Sequence, residues 1–267
     1  MNKQSMMRGL GIINEDEKLL FAKVFDQSIL AQKHRSPKFT QFIDRAKCMK
    51  YEMAFSNAED VFVRAFGGIE EAERMRLGFF PKTYEEELVR FPIVTLSISR
   101  KHKKFGQADL SHRDYLGSIL GLGIERAFIG DIVVNEDGAV CFVDDTIADY
   151  IESQLIQVSK TNVKVEVVEL SQHGTETQKP TKQKRITVSS LRLDGIISSV
   201  LQVSRGVSQE LIKKEKVNVN WEVVTNTSFQ LKEGDMVSAR KYGRFRVGEI
   251  GGMTKKDRIV LEIHIYI

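Results

Sequence analysis

Arg205, Gln209 and Lys213 recur at four-residue spacing, which puts all three on one face of a helix beside an outward-pointing Lys214. Ser204 precedes them as a good N-cap, and Val207, Leu211 and Ile212 are left to face inward. Further on, Arg240, Tyr242, Arg244 and Arg246 alternate with Lys241, Gly243, Phe245 and Val247. An unbroken strand there would show three guanidiniums around one aromatic ring on one side. Guanidinium forks bind phosphate through paired hydrogen bonds, and a tyrosine ring can stack on a nucleobase. With Arg192 and Lys241, this set has the chemistry of a phosphate-backbone reader. A solvated charged surface is the ordinary fate of such residues, but here several separated elements bring cations to one short segment.

A second cationic run, Arg100-Lys101-His102-Lys103-Lys104, reads as a loop after a strand. Arg100, Lys101, Lys103 and Lys104 are candidates for a second phosphate contact, against the commoner reading of a solvated turn. His112-Arg113-Asp114 mimics a kinase catalytic triplet, yet the downstream Asn, the glycine loop and the D-F-G metal site are missing, so Asp114 reads as a helix cap. Gly121-Leu122-Gly123 follows a helix and not a strand, which suits a helix stop better than a dinucleotide fingerprint. Asp194 lies in Arg192-Leu193-Asp194, a triplet also found in pseudouridine synthases. The Gly-Leu pair that follows it there is absent, so a cap or an arginine pair is the better reading.

These side chains need elements to hold them. Leu193, Ile196, Ile197, Val200 and Leu201 repeat at helical spacing ahead of the Ser204 helix. Upstream, the order is strand 93–99, helix after Ser111, strands 129–135 and 139–143 around Glu136-Asp137-Gly138, helix 145–158 and strand 163–170. That β-α-β-β-α-β order predicts a ferredoxin-like sandwich. Its third strand offers only Phe142 as an aromatic, so base stacking on this sheet is not expected. Before it come a helix starting at Asn14 with Leu20, Phe21, Val24, Phe25 and Ile29 inward, a helix near 44–54, a strand 61–65 and a charged helix over 69–77. The expected fold class is α+β: a mixed N-terminal domain (1–81), a ferredoxin-like domain resembling an RNA-recognition motif (82–170), a polar linker (171–184) and a small basic RNA-binding domain (185–267).

The C-terminal residues resemble a known module. Arg192-Leu193-Asp194, Ser204-Arg205, Leu211-Ile212, Val217-Asn218-Val219-Asn220, Gly234-Asp235 and Gly243-Arg244-Phe245 match the pattern of the S-four RNA-binding domain. Two positions depart from it: Glu215 stands where a glycine is usual, and Asn220-Trp221 replaces an Asn-Gly turn. That Trp, with FGGIEEAERMR and IGDIVV upstream, resembles the YlmH family of bacterial proteins over nearly the whole chain. The resemblance implies a cytoplasmic protein that binds structured RNA (rRNA, tRNA) on the large ribosomal subunit during rescue of stalled translation. It also implies gene neighbours in cell division. An RNA-modifying enzyme and a division-site adaptor are the rival readings.

Composition agrees with a polyanion partner. From Ser171 onward there are 17 Lys and Arg against 10 Asp and Glu, a net of +7, whereas the preceding residues carry −3. No apolar run reaches membrane-span length. Cys48 and Cys141 lie far apart, and neither they nor the five histidines have metal-site spacing, so neither metal nor cofactor is expected.

Overall fold

The computed structural model describes residues 2–101, 109–169, 181–254 and 257–266. They fall into two compact units, Met1–Gln178 and Lys179–Ile267.

The first unit opens with α1 (Lys3–Gly9) and α2 (Glu15–His34). The Asn14 side chain caps α2 by accepting from the amides of Asp16 and Glu17. Phe21, Val24 and Phe25 are buried as the spacing requires, but Ser28 takes the inward place expected for Ile29, which is exposed. Then come β1 (Lys38–Phe39), β2 (Ile43–Asp44), α3 (Arg45–Phe55), β3 (Val61–Phe66) and β4 (Arg74–Pro81). Central β4 pairs with the other three. The helix expected over 69–77 is therefore absent, and its second half is strand. Met75, Leu77 and Phe79 alternate into the core under α2 and α3. On the other face Phe80 stacks on Phe62. Burial on both faces overrides the helical bias of the charged run.

Next are β5 (Ile93–Arg100), α4 (His112–Leu120), β6 (Ile129–Val134), β7 (Gly138–Asp144), α5 (Asp145–Gln154), β8 (Gln157–Val158) and β9 (Thr161–Val168). The antiparallel order β6-β7-β5-β9 is that of a ferredoxin-like sandwich, with β8 added at the edge. The Asp114 carboxylate accepts from both the amide and the hydroxyl of Ser111 at the start of α4. Helix α5 stops four residues earlier than expected because Leu155 leaves helical geometry and Val158 enters the core as part of β8. Tyr150, expected inward, is exposed.

The sheet face opposite α4 and α5 is partly roofed by the preceding residues. Val133, Val140 and Phe142 pack against Ile69 and Ile93. Gly68 adopts φ +97°, and a Cβ there would lie 2.3 Å from the Phe142 ring, so the turn closes onto that ring only without a side chain. The Arg76 guanidinium, 7% exposed, pairs with Asp144 at 2.7 Å. Asp131 accepts from the amides of Glu73 and Arg74. A buried polar seam thus joins the residues before and after position 81 within one unit.

The second unit contains β10 (Thr181–Val188), α6 (Leu193–Leu201), α7 (Arg205–Lys213), β11 (Val217–Val219), β12 (Glu222–Val223), β13 (Met236–Ala239), β14 (Gly243–Met253) and β15 (Ile259–Tyr266). The antiparallel sheet runs β10-β15-β14-β13-β11-β12. Both helices pack on one side, where Leu193, Ile196, Ile197, Leu211 and Ile212 meet Ile186, Phe245, Val247, Leu261 and Ile263. Two expectations need correction. Residues 181–184 belong to β10, paired residue for residue with β15, and not to a linker. The strand expected through 240–247 is broken: 240–242 form a turn, and β14 begins at Gly243.

Candidate nucleic-acid interface

At one end of the second unit the local sequence builds a charged cluster around Asp194. Arg192 caps α6, and Asp194 follows in its first turn, fully buried. Arg192 donates to it through Nε (3.1 Å to Oδ1) and Nη2 (3.0 Å to Oδ2). Arg205, at the start of α7, donates through Nε (3.2 Å to Oδ2) and Nη2 (3.3 Å to Oδ1). Gln209, one turn on, adds a 2.9 Å hydrogen bond to Oδ2. The Ser208 hydroxyl donates to the Asp194 carbonyl, which ties α7 to α6. Burial works to raise the Asp194 pKa, but hydrogen bonds from Arg192, Gln209 and Arg205 outweigh it and hold the carboxyl well below the usual range. Arg192, Arg205 and Gln209, singled out as phosphate ligands, are thus first of all partners of Asp194. The Arg205 side chain remains 54% exposed, so its outer edge is open to solvent.

Ser204 caps α7 by accepting from the Val207 amide. Val207 itself is 37% exposed and does not face inward as expected.

The other end of α7 carries the remaining cations. Its last turn closes as a Schellman motif: the Glu215 amide donates to Ile212 and the Lys216 amide to Leu211. Glu215 therefore sits at φ +56°, in the left-handed region where the S-four pattern has its glycine. The Arg240 amide donates to the Lys216 carbonyl, so the β13–β14 turn lies beside the helix end. Lys213, Lys216, Arg240, Lys241 and Tyr242 are all exposed there. Lys214 pairs with Glu210. Among the described residues, no carboxylate forms an ion pair with Lys213, Arg240 or Lys241. Lys216 was not singled out from sequence, although its place between the helix end and β11 could have suggested it.

Arg244 and Arg246 do not join this cluster. They alternate with buried Phe245 and Val247 and so project from the sheet face opposite the helices. In the first unit, Arg100 ends β5 instead of starting a loop. Its side chain is 4% exposed and pairs with Asp109 at 3.2 Å. It lies against Tyr115, whose phenol burial pushes up and Arg100 pulls back. Lys101 is exposed; Lys103 and Lys104 lie outside the described residues.

No group of three His, Cys, Asp or Glu among the described residues is arranged to hold a metal ion, and no helix among them is long and apolar enough to cross a membrane.

Comparison with known proteins fits this layout. Residues 88–172 match the family described as "Putative RNA-binding domain in YlmH", and residues 191–237 match the "S4 domain". Over 247 residues the chain is 34% identical to "Ribosome-associated protein quality control protein P2" of Bacillus subtilis (strain 168), covering 91% of this chain and 93% of that protein. The chain belongs to the YlmH family. A solved structure named "Cell division protein ylmH from Streptococcus pneumoniae" matches with a TM-score of 0.48 and 20% identity over 60% of this chain and 95% of that one. In this YlmH-family chain the Asp194 cluster falls inside the S-four match, whereas β10, β14 and β15 lie outside it.

Proposed function

We propose that this chain is a ribosome-associated factor without catalytic activity, which docks through its C-terminal unit on structured rRNA or tRNA of the large subunit and serves rescue of stalled translation. The observation that carries this reading is the group of exposed cations at the end of α7 and the β13–β14 turn. Among the described residues, Lys213, Arg240 and Lys241 have no acidic partner to neutralise them, and they stand next to Lys216 and the Tyr242 ring. Arg192, Arg205, Ser204, Gln209 and Lys214 border the same helix. Phosphate contacts from such residues supply affinity, and the rigid helix pair supplies shape selection. The name of the Bacillus subtilis relative supports the ribosomal setting.

The buried Asp194 carboxylate supports a binding role over an enzymatic one. Its oxygens are engaged by two arginines and a glutamine and have no exposed surface to meet a substrate. In the first unit, the sheet face that RNA-recognition motifs use for stacking has Phe142 buried beneath the Gly68 turn, which leaves the C-terminal unit as the better RNA reader.

The test is sedimentation of the full chain with purified large and small ribosomal subunits over a salt series, with a structured RNA titrated in parallel. Engagement of ~4 to 6 phosphates gives a log–log salt slope of about −3 to −5 and a preference for the large subunit. Affinity that does not change with salt, or equal partition between the subunits, would defeat the reading.

A further inference from the structure

The sheet of the C-terminal unit ends on β10, which among the described residues pairs with β15 alone. The pairing runs without a bulge over all eight residues, Thr181–Val188, whereas the register of β14 on β15 shifts at two places. Backbone groups alternate in direction along each antiparallel strand. The Asn220 amide donates to the Met236 carbonyl, so Met236 and Ser238 address β11, while Val237 and Ala239 address β14. Carried across the registers, the Ile263 and Ile265 backbones bond those of Lys184 and Lys182. The amides and carbonyls of Gln183, Arg185 and Thr187 therefore point off the sheet. The Arg258 guanidinium reaches the Thr187 carbonyl at 2.6 Å, as that direction requires.

Two edges of the first unit are closed by contrast. On β3 the Ala65 amide donates to the Glu52 carboxylate, and the Val63 carbonyl accepts from Arg64. On β9 the Val163 amide donates to the Ile156 carbonyl and the Val167 amide to the Glu152 carboxylate. Covering groups of this kind keep a sheet from gaining a strand. Among the described residues, no side chain takes the outward amide or carbonyl of Gln183 or Arg185. The open edge lies outside the residues that match the S-four domain, so it belongs to the strands added to that module.

Charge selects what can sit there. The strand carries Lys182, Lys184 and Arg185 and no acid. Antiparallel pairing of two copies about Gln183, Lys184 or Arg185 would set Lys182 on Lys184, Lys184 on Lys184, or Arg185 on Arg185, and like charges directly opposite are destabilising. A phosphate backbone offers acceptors only and would leave the outward carbonyls unmatched. An extended peptide meets donors and acceptors in turn, and acidic side chains on it would lie against the cations. We propose that β10 is a docking strand for an extended acidic segment of a partner protein, which adds to the six-stranded sheet beyond β10. The same cations turn away neutral and basic strands. This interaction is separate from the RNA-binding reading above and does not depend on it.

The test uses the full chain and synthetic peptides: one alternating Glu and Val, one with Gln and one with Lys in place of Glu, and the Glu peptide N-methylated throughout. Fluorescence anisotropy reads binding, and amide hydrogen exchange reads where it occurs. The Glu peptide binds and slows exchange at Gln183, Arg185 and Thr187. The Gln peptide binds at least about tenfold more weakly, because the cross-strand charge pairs are gone. The N-methylated peptide keeps its charge, loses its donors and gives no protection. Lys182→Glu with Lys184→Glu reverses the preference, toward the Lys peptide. Gln183→Pro removes one outward donor without touching the bonds to β15, so it weakens the Glu peptide by roughly fivefold or more and leaves RNA affinity within about twofold. Should the proline variant melt early, the charge reversal still decides. No binding of the Glu peptide, or equal binding of its N-methylated form, overturns the proposal. So does slowed exchange at the same amides with an RNA stem-loop alone, or on concentrating the protein alone, since the edge would then belong to RNA or to a second copy.

Discussion

The Arg205 guanidinium spans both oxygens of Asp194, at 3.2 and 3.3 Å, over a carboxylate that has no exposed surface. Arg192 makes the same two-pronged contact from the opposite end of the motif. One acid thus fixes two guanidiniums that belong to different helices, and it sets the angle at which Arg205 meets solvent. Stability and ligand geometry are joined at Asp194, while at Lys213, Arg240 and Lys241 they are separate.

Asp194→Ala should destabilise the C-terminal unit by ~3 to 5 kcal/mol, the usual cost of removing one partner from a buried ion pair. Asp194→Asn keeps acceptor capacity and should cost less, about 1 to 3 kcal/mol. The pH dependence carries a sign. The carboxyl is depressed when folded, so its contribution is present above the unfolded value of ~3.9 and is lost as pH falls below it. Urea unfolding of wild type and Asp194→Asn should therefore converge as the buffer is taken from pH 5 toward pH 2. A constant gap over that range would mean that the folded carboxyl is not held low.

Lys213→Ala with Arg240→Ala should leave stability within ~0.5 kcal/mol, since both side chains are exposed surface groups. RNA affinity should fall by roughly tenfold or more, with the log–log salt slope reduced by about 1.5 to 2. Denaturation and RNA titration on the same preparation read the two effects separately. A loss of stability comparable to that of Asp194→Ala would assign these cations a folding role.

Much of this arrangement is legible from sequence because it is local. The α6 and α7 faces follow from apolar spacing, and the β6–β7 hairpin from Glu136-Asp137-Gly138. An arginine pair was one of the two readings of Asp194, and both arginines lie within eleven residues of it. What escapes sequence is set by distant contacts or by backbone. The run before Leu77 reads as a helix because its charges space well, but Arg74 and Arg76 find their partners at Ile129, Asp131 and Asp144, more than fifty residues on. Arg100 reads as one of a solvated run because nothing local announces Asp109 as its partner. The turn at 240–242 is hidden because Lys241 takes a left-handed φ of +75°, a place that sequence rules reserve for glycine or asparagine.

Arg76 bonds the carbonyls of Thr40 and Pro92 as well as pairing with Asp144, and both charged side chains are under 10% exposed. Burial lowers the Arg76 pKa, with Asp144 acting against it. Arg76→Ala leaves Asp144 buried without its counter-ion and should cost the first unit ~3 to 5 kcal/mol. Calorimetry of the full chain should show an earlier transition for that unit, while RNA affinity measured below that transition stays at the wild-type level. A matching loss of RNA affinity at low temperature would place the seam in the RNA-binding surface.

Glu215 offers a variant in which stability and affinity should rise together. It occupies the C′ position of the Schellman motif at φ +56°, where a side chain costs about 1 kcal/mol relative to glycine. The side chain is exposed and no ion pair involving it is formed among the described residues, so little packing is lost on its removal. Glu215→Gly should stabilise the C-terminal unit by up to ~1 kcal/mol, less whatever the freer unfolded chain takes back. It also removes a negative charge from among Lys213, Lys214 and Lys216, so RNA affinity should increase, most visibly at low salt. Glu215→Gln separates the two effects: the charge goes, the left-handed strain stays, and only affinity should improve. Equal gains in melting temperature for Gln and Gly would show that repulsion of the carboxylate by the negative end of α7, and not backbone geometry, is what glycine relieves.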